Sequence, residues 1–148
     1  MGRILFGLCL FAAVFAQSTF IPRLNPLVIS PDLVLVLLFL WAAYHSVRES
    51  LLWVFLTGIT LDIISIDPLG ANGLALLVVV PLAYAARQRL FHASLLVPII
   101  LVMVATVVHG VVLYALRGVM PTMFIGFQAL MHAVLVPVIY GIVRFLHR

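Results

Sequence analysis

The chain has 148 residues, of which 66% are hydrophobic and only 8% are charged, and its mean hydropathy is +1.35. Water-soluble domains carry about 25% charged residues, so this composition excludes an ordinary soluble fold and predicts a membrane protein. The net charge of +4 does not indicate nucleic-acid binding, because the arginines are scattered between apolar blocks and form no basic face. The single cysteine, Cys9, excludes an intrachain disulfide.

Six apolar stretches, separated by charged residues, prolines or glycines, predict an all-α membrane protein built as a bundle of six transmembrane helices. A helix needs roughly 20 apolar residues, with about 17 as the lower end, to cross a hydrocarbon core of about 30 Å. No connection is long enough to fold by itself, so residues 1–148 are predicted to form a single domain. The spans cover about residues 4–21, 31–45, 50–66, 69–86, 95–116 and 123–145.

Two of the predicted spans have distinctive features. At the start of the second, Ser30 is predicted as the N-cap, Pro31 suits the first helical position, and Asp32 complements the helix dipole. This helix reaches only to about His45, so it is short for a full crossing. The fourth span contains Pro81, where we expect a kink.

The distribution of the arginines predicts the orientation of the bundle. Positive residues are enriched in cytoplasmic loops, and a cytoplasmic N-terminus places most of the arginines inside. We therefore predict an N-in, C-in protein. The first stretch also resembles a signal-peptide core, but we expect it to remain as the first span because its removal would leave an odd number of spans. The inside set is Arg3, Arg48, Arg87, Arg89, Arg144 and Arg148, and the outside set is Arg23 and Arg117.

Asp62, late in the third span, is the first polar residue to consider, because an ionisable side chain inside a membrane is costly and often functional. Gly58 lies one helical turn before it and forms a small notch on the same face. Asp62 either makes a polar contact, titrates or binds a ligand, or it caps the turn that follows. We favour a packing or capping role for Asp62. We therefore expect the variant Asp62→Asn to keep the shape and the hydrogen bonds of this side chain.

The segment from Asp67 to Gly73 connects the third and fourth spans on the predicted outer side. Asp67 before Pro68 favours a turn, and Gly70 permits a positive φ. A simple chain reversal needs fewer small and polar residues than this segment contains. The alternatives are therefore a structural turn and a docking surface or re-entrant edge that includes Asn72.

The histidines and serines do not form a recognisable catalytic or metal-binding pattern. A catalytic zinc needs three protein ligands, and neither His109 nor His132, both within spans, has an acidic or histidine companion at a suitable spacing. We instead expect His109 to form a hydrogen bond with the backbone or with His132. No serine lies in a nucleophile-elbow motif, so neither an enzyme nor a cofactor is predicted.

Several short motifs, taken in their order and spacing, resemble the MreD family of bacterial rod shape-determining membrane proteins. The motifs cover about residues 17–75, and beyond Ala86 the resemblance is one of hydropathy only. They are Gln17-Ser18-Thr19, Ser30-Pro31-Asp32-Leu33, Arg48-Glu49, Gly58-x-x-x-Asp62 and Pro68-Leu69-Gly70.

The resemblance implies a non-enzymatic, multi-pass protein of the bacterial inner membrane that works in the cell-elongation machinery. Its implied partner is MreC, within a complex that joins the MreB filament to the peptidoglycan polymerase RodA and its transpeptidase. Members of the family are also similar in six-helix architecture to the substrate-binding S subunits of energy-coupling vitamin transporters. That similarity provides an alternative function.

The leading hypothesis is a membrane scaffold that binds the transmembrane helix and the adjacent periplasmic segment of MreC. The alternative is an S-type subunit that binds a small molecule, with Gln17, Asn25, Asp62 and Asn72 as polar contacts in an outward-facing cavity. A third hypothesis, a membrane-embedded hydrolase, has only Asp62, His109 and His132 as candidates. The residues expected to bind the protein partner are Pro31, Asp32, Gly58, Asp62, Asp67, Pro68, Gly70 and Asn72.

Overall fold

The computed structural model describes residues 2–20, 31–90, 96–118 and 123–146, and all regular secondary structure in these ranges is helical. The side chains of Arg89 and Arg144 are not among the described parts. Several residues named in the sequence analysis lie outside the described residues: Arg23, Asn25, the expected cap Ser30, and Arg148.

The described ranges form seven α-helices, of which α4 and α5 follow one another so closely that they make one broken segment. The result is six helical segments, which is compatible with a helical membrane protein. The helices are α1 (Arg3–Phe15), which a π-helical turn (Ala16–Phe20) extends, α2 (Leu33–Tyr44), α3 (Val47–Ser65), α4 (Ala71–Leu77), α5 (Val79–Leu90), α6 (Leu96–Arg117) and α7 (Phe124–Leu146).

The helices differ in the length of their apolar stretches. Among the described residues α6, with 22 residues and a mean hydropathy of 2.6, is the one helix long and apolar enough to cross a membrane by length and composition. The crossing of the bilayer by all six segments stays a prediction. Four shorter helical stretches are also apolar: Arg3–Thr19, Leu33–Tyr44, Ala71–Arg87 and Phe124–Ile139.

Helix α2 is the centre of the bundle. It contacts α1, α3, α5, α6 and α7, and every residue from Val34 to Ala43 except Leu37 is buried. A helix that is apolar on all sides belongs in such a position. Its 12 residues span only about 18 Å, which is shorter than a hydrocarbon core. Its N-cap, Asp32, is only 6% exposed, so α2 begins inside the bundle rather than at its surface.

The first turn of α2 is capped by Asp32. Its Oδ1 atom accepts a hydrogen bond from the N–H of Leu35 at 3.0 Å, and the N–H of Leu33 donates to the carbonyl of Pro31. The prediction that Ser30 is the N-cap is therefore wrong. The carboxylate of Asp32 can accept from the third residue of the helix, which is the role of an N-cap side chain, and the helix begins two residues later than expected.

The segment that precedes Pro81 is divided, as the sequence led us to expect. Helix α4 ends at Leu77 and α5 begins at Val79. Proline lacks an N–H and its ring clashes with the carbonyl of the residue four positions earlier, which here is Leu77. The break therefore lies where proline removes one hydrogen bond of a continuous helix.

Helices α3 and α4 meet through two glycines. A Cβ atom placed on Gly58 would lie 2.4 Å from the Cα of Gly73 and 2.6 Å from its nitrogen. No real Cβ tolerates such distances from backbone atoms, so the pair of glycines allows an approach that no larger residue permits at position 58. The notch predicted beside Asp62 therefore receives the backbone of α4.

The opposite end of the bundle is closed by aromatic rings. Phe6 stacks on Trp41 with a centroid distance of 3.9 Å, and Trp41 stacks on His45 at 3.5 Å. Arg3 forms an ion pair with Glu49 at 2.7 Å nearby. Because this end includes the N-terminus of α1, it is the predicted cytoplasmic end.

The glycine contact predicts a specific loss of stability. Gly58→Ala should lower the free energy of unfolding by about 2–3 kcal/mol, because the methyl group must separate α3 from α4. Unfolding in detergent, followed by the fluorescence of Trp41 and Trp53, measures the change.

Gly126→Ala is the matched control, since Gly126 lies in α7 with no neighbouring atom within 4 Å of an added Cβ. It should leave stability unchanged or raise it slightly, because alanine has the higher helix propensity. Equal stability of the two variants would contradict the close approach of α3 and α4.

Candidate partner-binding site

Asp62 holds together the turn between α3 and α4. Its side chain is 1% exposed, and both carboxylate oxygens accept hydrogen bonds. Oδ2 accepts from the N–H of Gly70 at 2.6 Å, while Oδ1 accepts from the N–H of Asn72 at 2.9 Å and from its side-chain amide at 2.8 Å. A buried carboxylate needs such donors. Asp62 therefore acts as a structural acceptor that fixes the start of α4.

The backbone of this turn uses two left-handed residues. Ile66, which ends α3, has a φ of 56°, and Gly70, which precedes α4, has a φ of 94°. The positive φ of Gly70 agrees with the expectation from the sequence, whereas that of Ile66 was not foreseen, since β-branched residues rarely adopt it. The carbonyl of Asp62 accepts a hydrogen bond from the N–H of Asp67 and so helps to hold Ile66 in this conformation.

Asp67 connects the turn to the end of α6. Its Oδ2 atom accepts a hydrogen bond from the side-chain amide of Asn72 at 3.0 Å and forms an ion pair with Arg117. Burial opposes ionisation of this group, but the hydrogen bonds from Arg117 and Asn72 and the guanidinium charge outweigh it, so the pKa of Asp67 lies below its usual value. At neutral pH the carboxylate is therefore ionised and holds the turn against α6.

A second polar network lies at the start of α2. The N–H of Asp32 donates to Nε2 of His132, which is completely buried, at 2.6 Å. Nδ1 of His132 lies 2.7 Å from the hydroxyl of Thr106, and this hydroxyl lies 2.8 Å from the carbonyl of Val102. Since a carbonyl only accepts, the Thr106 hydroxyl donates to Val102, and Nδ1 of His132 donates to Thr106. This assignment satisfies every group and places the ring proton on Nδ1.

His109 lies beside this network but does not share its bonds. Its Nδ1 atom is 4.0 Å from Oδ2 of Asp32, and its Nε2 atom is buried without a hydrogen-bond partner among the described residues. Within the described ranges His109 therefore bonds neither to the backbone nor to His132, contrary to the expectation. The reason is that His132 has both ring nitrogens engaged by Asp32 and Thr106.

A cavity of about 430 Å³ lies above the buried start of α2. It is lined by the ends of α1, α3 and α6 and by the beginnings of α2, α4 and α7. All six helical segments therefore contribute to it, and α5 is the one described helix that does not. Its lining mixes polar and apolar side chains: Gln17, Ser18, Asp32, Leu61, Ile64, Ser65, Asn72, His109, Gly110, Leu113, Tyr114, Arg117, Phe124, Ile125 and Gln128. We call this space the outer cavity, since it lies at the predicted outer end.

The residues predicted from the sequence divide into two groups around the outer cavity. Asp32 and Asn72 line it directly. Gly58, Asp62, Asp67 and Gly70 instead hold the turn and α4 in place beside it. Pro31 and Pro68 contribute carbonyls to the turns that precede α2 and α4.

Several lining residues were not predicted as site residues. Arg117 was used only for topology, and Tyr114, Phe124 and Gln128 have no motif that singles them out. Their common signal is position: each lies within about one or two turns of the outer end of α6 or α7. Among the described residues, no three histidine, cysteine or acidic side chains are placed to bind a metal ion.

The geometry of Asp62 predicts the effect of removing its charge. Asp62→Asn should lower the free energy of unfolding by about 1–3 kcal/mol, because the amide replaces one of two acceptor oxygens with a donor that faces an N–H group. The expectation that Asn keeps the contacts is therefore incompatible with the structure. The tryptophan fluorescence assay measures the change, with Asp62→Leu expected to cost more.

Glu49→Gln is the control, since it makes the same chemical change in a carboxylate at the opposite end, where the partner Arg3 is largely exposed. Its cost should be about 1 kcal/mol or less. If Asp62→Asn is as stable as the parent, the assigned role of Asp62 is incorrect.

Comparison with known proteins places the chain in a family. No curated protein and no solved structure matches it significantly. The whole chain, residues 1–148, matches the family described as rod shape-determining protein MreD. The resemblance found in residues 17–75 is thereby confirmed and extends through the C-terminal half. The chain therefore belongs to the MreD family.

Proposed function

We propose that the protein is a non-enzymatic scaffold of the rod complex that binds MreC and so helps to position peptidoglycan synthesis. Membership of the MreD family supports a membrane protein with a role in rod shape determination. We further propose that the chain crosses the bacterial inner membrane six times, with both termini in the cytoplasm. RodA and its transpeptidase are proposed as further partners, and MreB as an indirect one.

The observation that carries the proposal is the outer cavity. It is a recess of about 430 Å³, and the described residues that line it lie in or next to helices. Asp62 and the Asp67–Arg117 ion pair fix one wall, and the network from Asp32 through His132 fixes the floor. Rigid walls lower the entropic cost of ordering a bound segment. The cavity thus suits a short piece of protein chain that leaves the membrane next to the bundle.

The transmembrane helix of MreC is proposed to lie along α7. Helix α7 has a row of exposed apolar side chains on one face: Phe124, Phe127, Leu130, Val134 and Val138. Phe124 also lines the outer cavity, so the row leads directly to its mouth. A helix packed along this row would deliver its periplasmic continuation to the cavity. This continuity supports a single partner for both surfaces.

The alternative, an S-type subunit that binds a small molecule, is supported by the same cavity. Its volume falls in the range of about 300–1,000 Å³ that is typical of ligand pockets. Such pockets are mostly apolar, with few polar groups. Here nine of the fifteen lining residues have polar or charged side chains, which favours a peptide segment with its own polar groups.

Obstruction of the outer cavity tests the function. Ser65→Trp places a large ring in the cavity from the end of α3 and should reduce the amount of MreC that co-purifies by at least about tenfold, because the MreC segment loses its site. Quantitative co-purification from membranes that contain both proteins measures this effect.

Ile63→Trp is the matched control, since Ile63 lies on the same helix but is 66% exposed on the outside of the bundle. It should retain MreC within about twofold of the parent. Recovery of as much MreC with Ser65→Trp as with the parent would contradict the proposal. Native mass spectrometry tests the S-type alternative, which would be favoured if the parent released a small molecule and Ser65→Trp did not.

A further inference from the structure

We propose that the outer cavity recognises one basic side chain, an arginine or a lysine, in the periplasmic segment of MreC. The proposal rests on the proposed function, because it assumes that this segment enters the cavity. It adds the chemistry of recognition: a guanidinium or ammonium group in the cavity would donate to the carboxylate of Asp32, beside the ring of His109.

The balance of charge at the outer end favours a cation. The described side chains there include three carboxylates, those of Asp32, Asp62 and Asp67, and one guanidinium, that of Arg117. Arg117 is paired with Asp67, and the bonds to Asp62 come from neutral N–H groups. Among the described side chains a surplus of negative charge therefore remains, and screening by salt is weak where the charges are largely buried.

The floor of the cavity includes acceptors for which the described residues supply no donor. Oδ1 of Asp32 accepts from the N–H of Leu35, while Oδ2 faces Nδ1 of His109 at 4.0 Å, which is too long for a hydrogen bond. With the ring proton of His109 on Nδ1, toward this carboxylate, its Nε2 atom carries a lone pair. This atom is buried without a partner among the described residues, in a ring that is only 8% exposed.

An unpaired buried acceptor is costly, and a bound donor removes that cost. The two acceptors belong to different side chains, Asp32 and His109, that both line the cavity. An arginine has five N–H donors in a planar fork and a lysine has three donors, so either can donate to Oδ2 of Asp32.

An anionic group fits the site less well. The start of α2 is a helix N-terminus, which would attract an anion, but the carboxylate of Asp32 already occupies that position. The guanidinium of Arg117, the cation of the described lining, is engaged by Asp67. An acidic side chain would therefore meet Asp32 without a free counter-charge.

A double-mutant cycle tests the proposal. MreC and this protein are reconstituted in lipid nanodiscs, and their affinity is measured by titration of labelled full-length MreC. Each arginine and lysine of the periplasmic segment next to the MreC transmembrane helix is changed singly to glutamine. Asp32→Asn is made in this chain, since asparagine is as good an N-cap as aspartate and only the charge is removed.

One basic residue of MreC should stand out. Its change to glutamine and Asp32→Asn should each weaken binding by about tenfold or more, and the two together should weaken it no further than either alone. Glu49→Gln, which removes a carboxylate charge at the opposite end of the bundle, should change the affinity by less than about twofold.

The outcomes separate this proposal from the proposed function. If the parent does not bind MreC at all, the proposed function fails. If MreC binds and no single basic residue of its segment matters, the recognition of a basic side chain is overturned, even where Asp32→Asn proves unstable. The same conclusion follows if Arg23→Gln in this chain weakens binding as much as Asp32→Asn does, because the cation would then be its own.

Discussion

The structure depends on a short apolar helix that begins inside the bundle. Helix α2 is buried on all sides, and its N-terminus at Asp32 lies beneath the surface. A buried helix end leaves N–H groups that need acceptors. The carboxylate of Asp32 serves the N–H of Leu35, and Nε2 of His132 serves the N–H of Asp32 itself. Asp32, at this buried end, also lines the outer cavity.

A second acceptor sets the shape of the cavity wall. Asp62 is buried, and three N–H donors from Gly70 and Asn72 bind its carboxylate. These bonds hold α4 against α3, where Gly58 and Gly73 allow the two backbones to touch. A carboxylate in a membrane helix invites a hypothesis of proton transfer or catalysis. Here its lone pairs are used by the fold.

The sequence predicted much of this fold and little of the cavity, for physical reasons. Hydropathy located the helical segments, Pro81 located a break, and Gly70 indicated a left-handed turn, because these properties are local. The bond between Asp32 and His132 joins residues 100 positions apart, and Arg117 meets Asp67 across 50 positions. Such contacts depend on how six segments pack. The N-cap was misplaced because both Ser30 and Asp32 are good caps, and only the buried position of the helix start selects between them.

The proposed scaffold function is tested most directly by disulfide cross-linking between the outer cavity and MreC. Cys9, the single cysteine, is replaced by serine, and Ser65→Cys is paired with a cysteine moved stepwise through MreC. The account predicts cross-links only in the periplasmic segment next to the MreC transmembrane helix, and none there from Ile63→Cys on the outer face of α3. If MreC co-purifies but no position cross-links to Ser65→Cys, or Ile63→Cys cross-links equally well, the outer cavity is not the site that holds MreC.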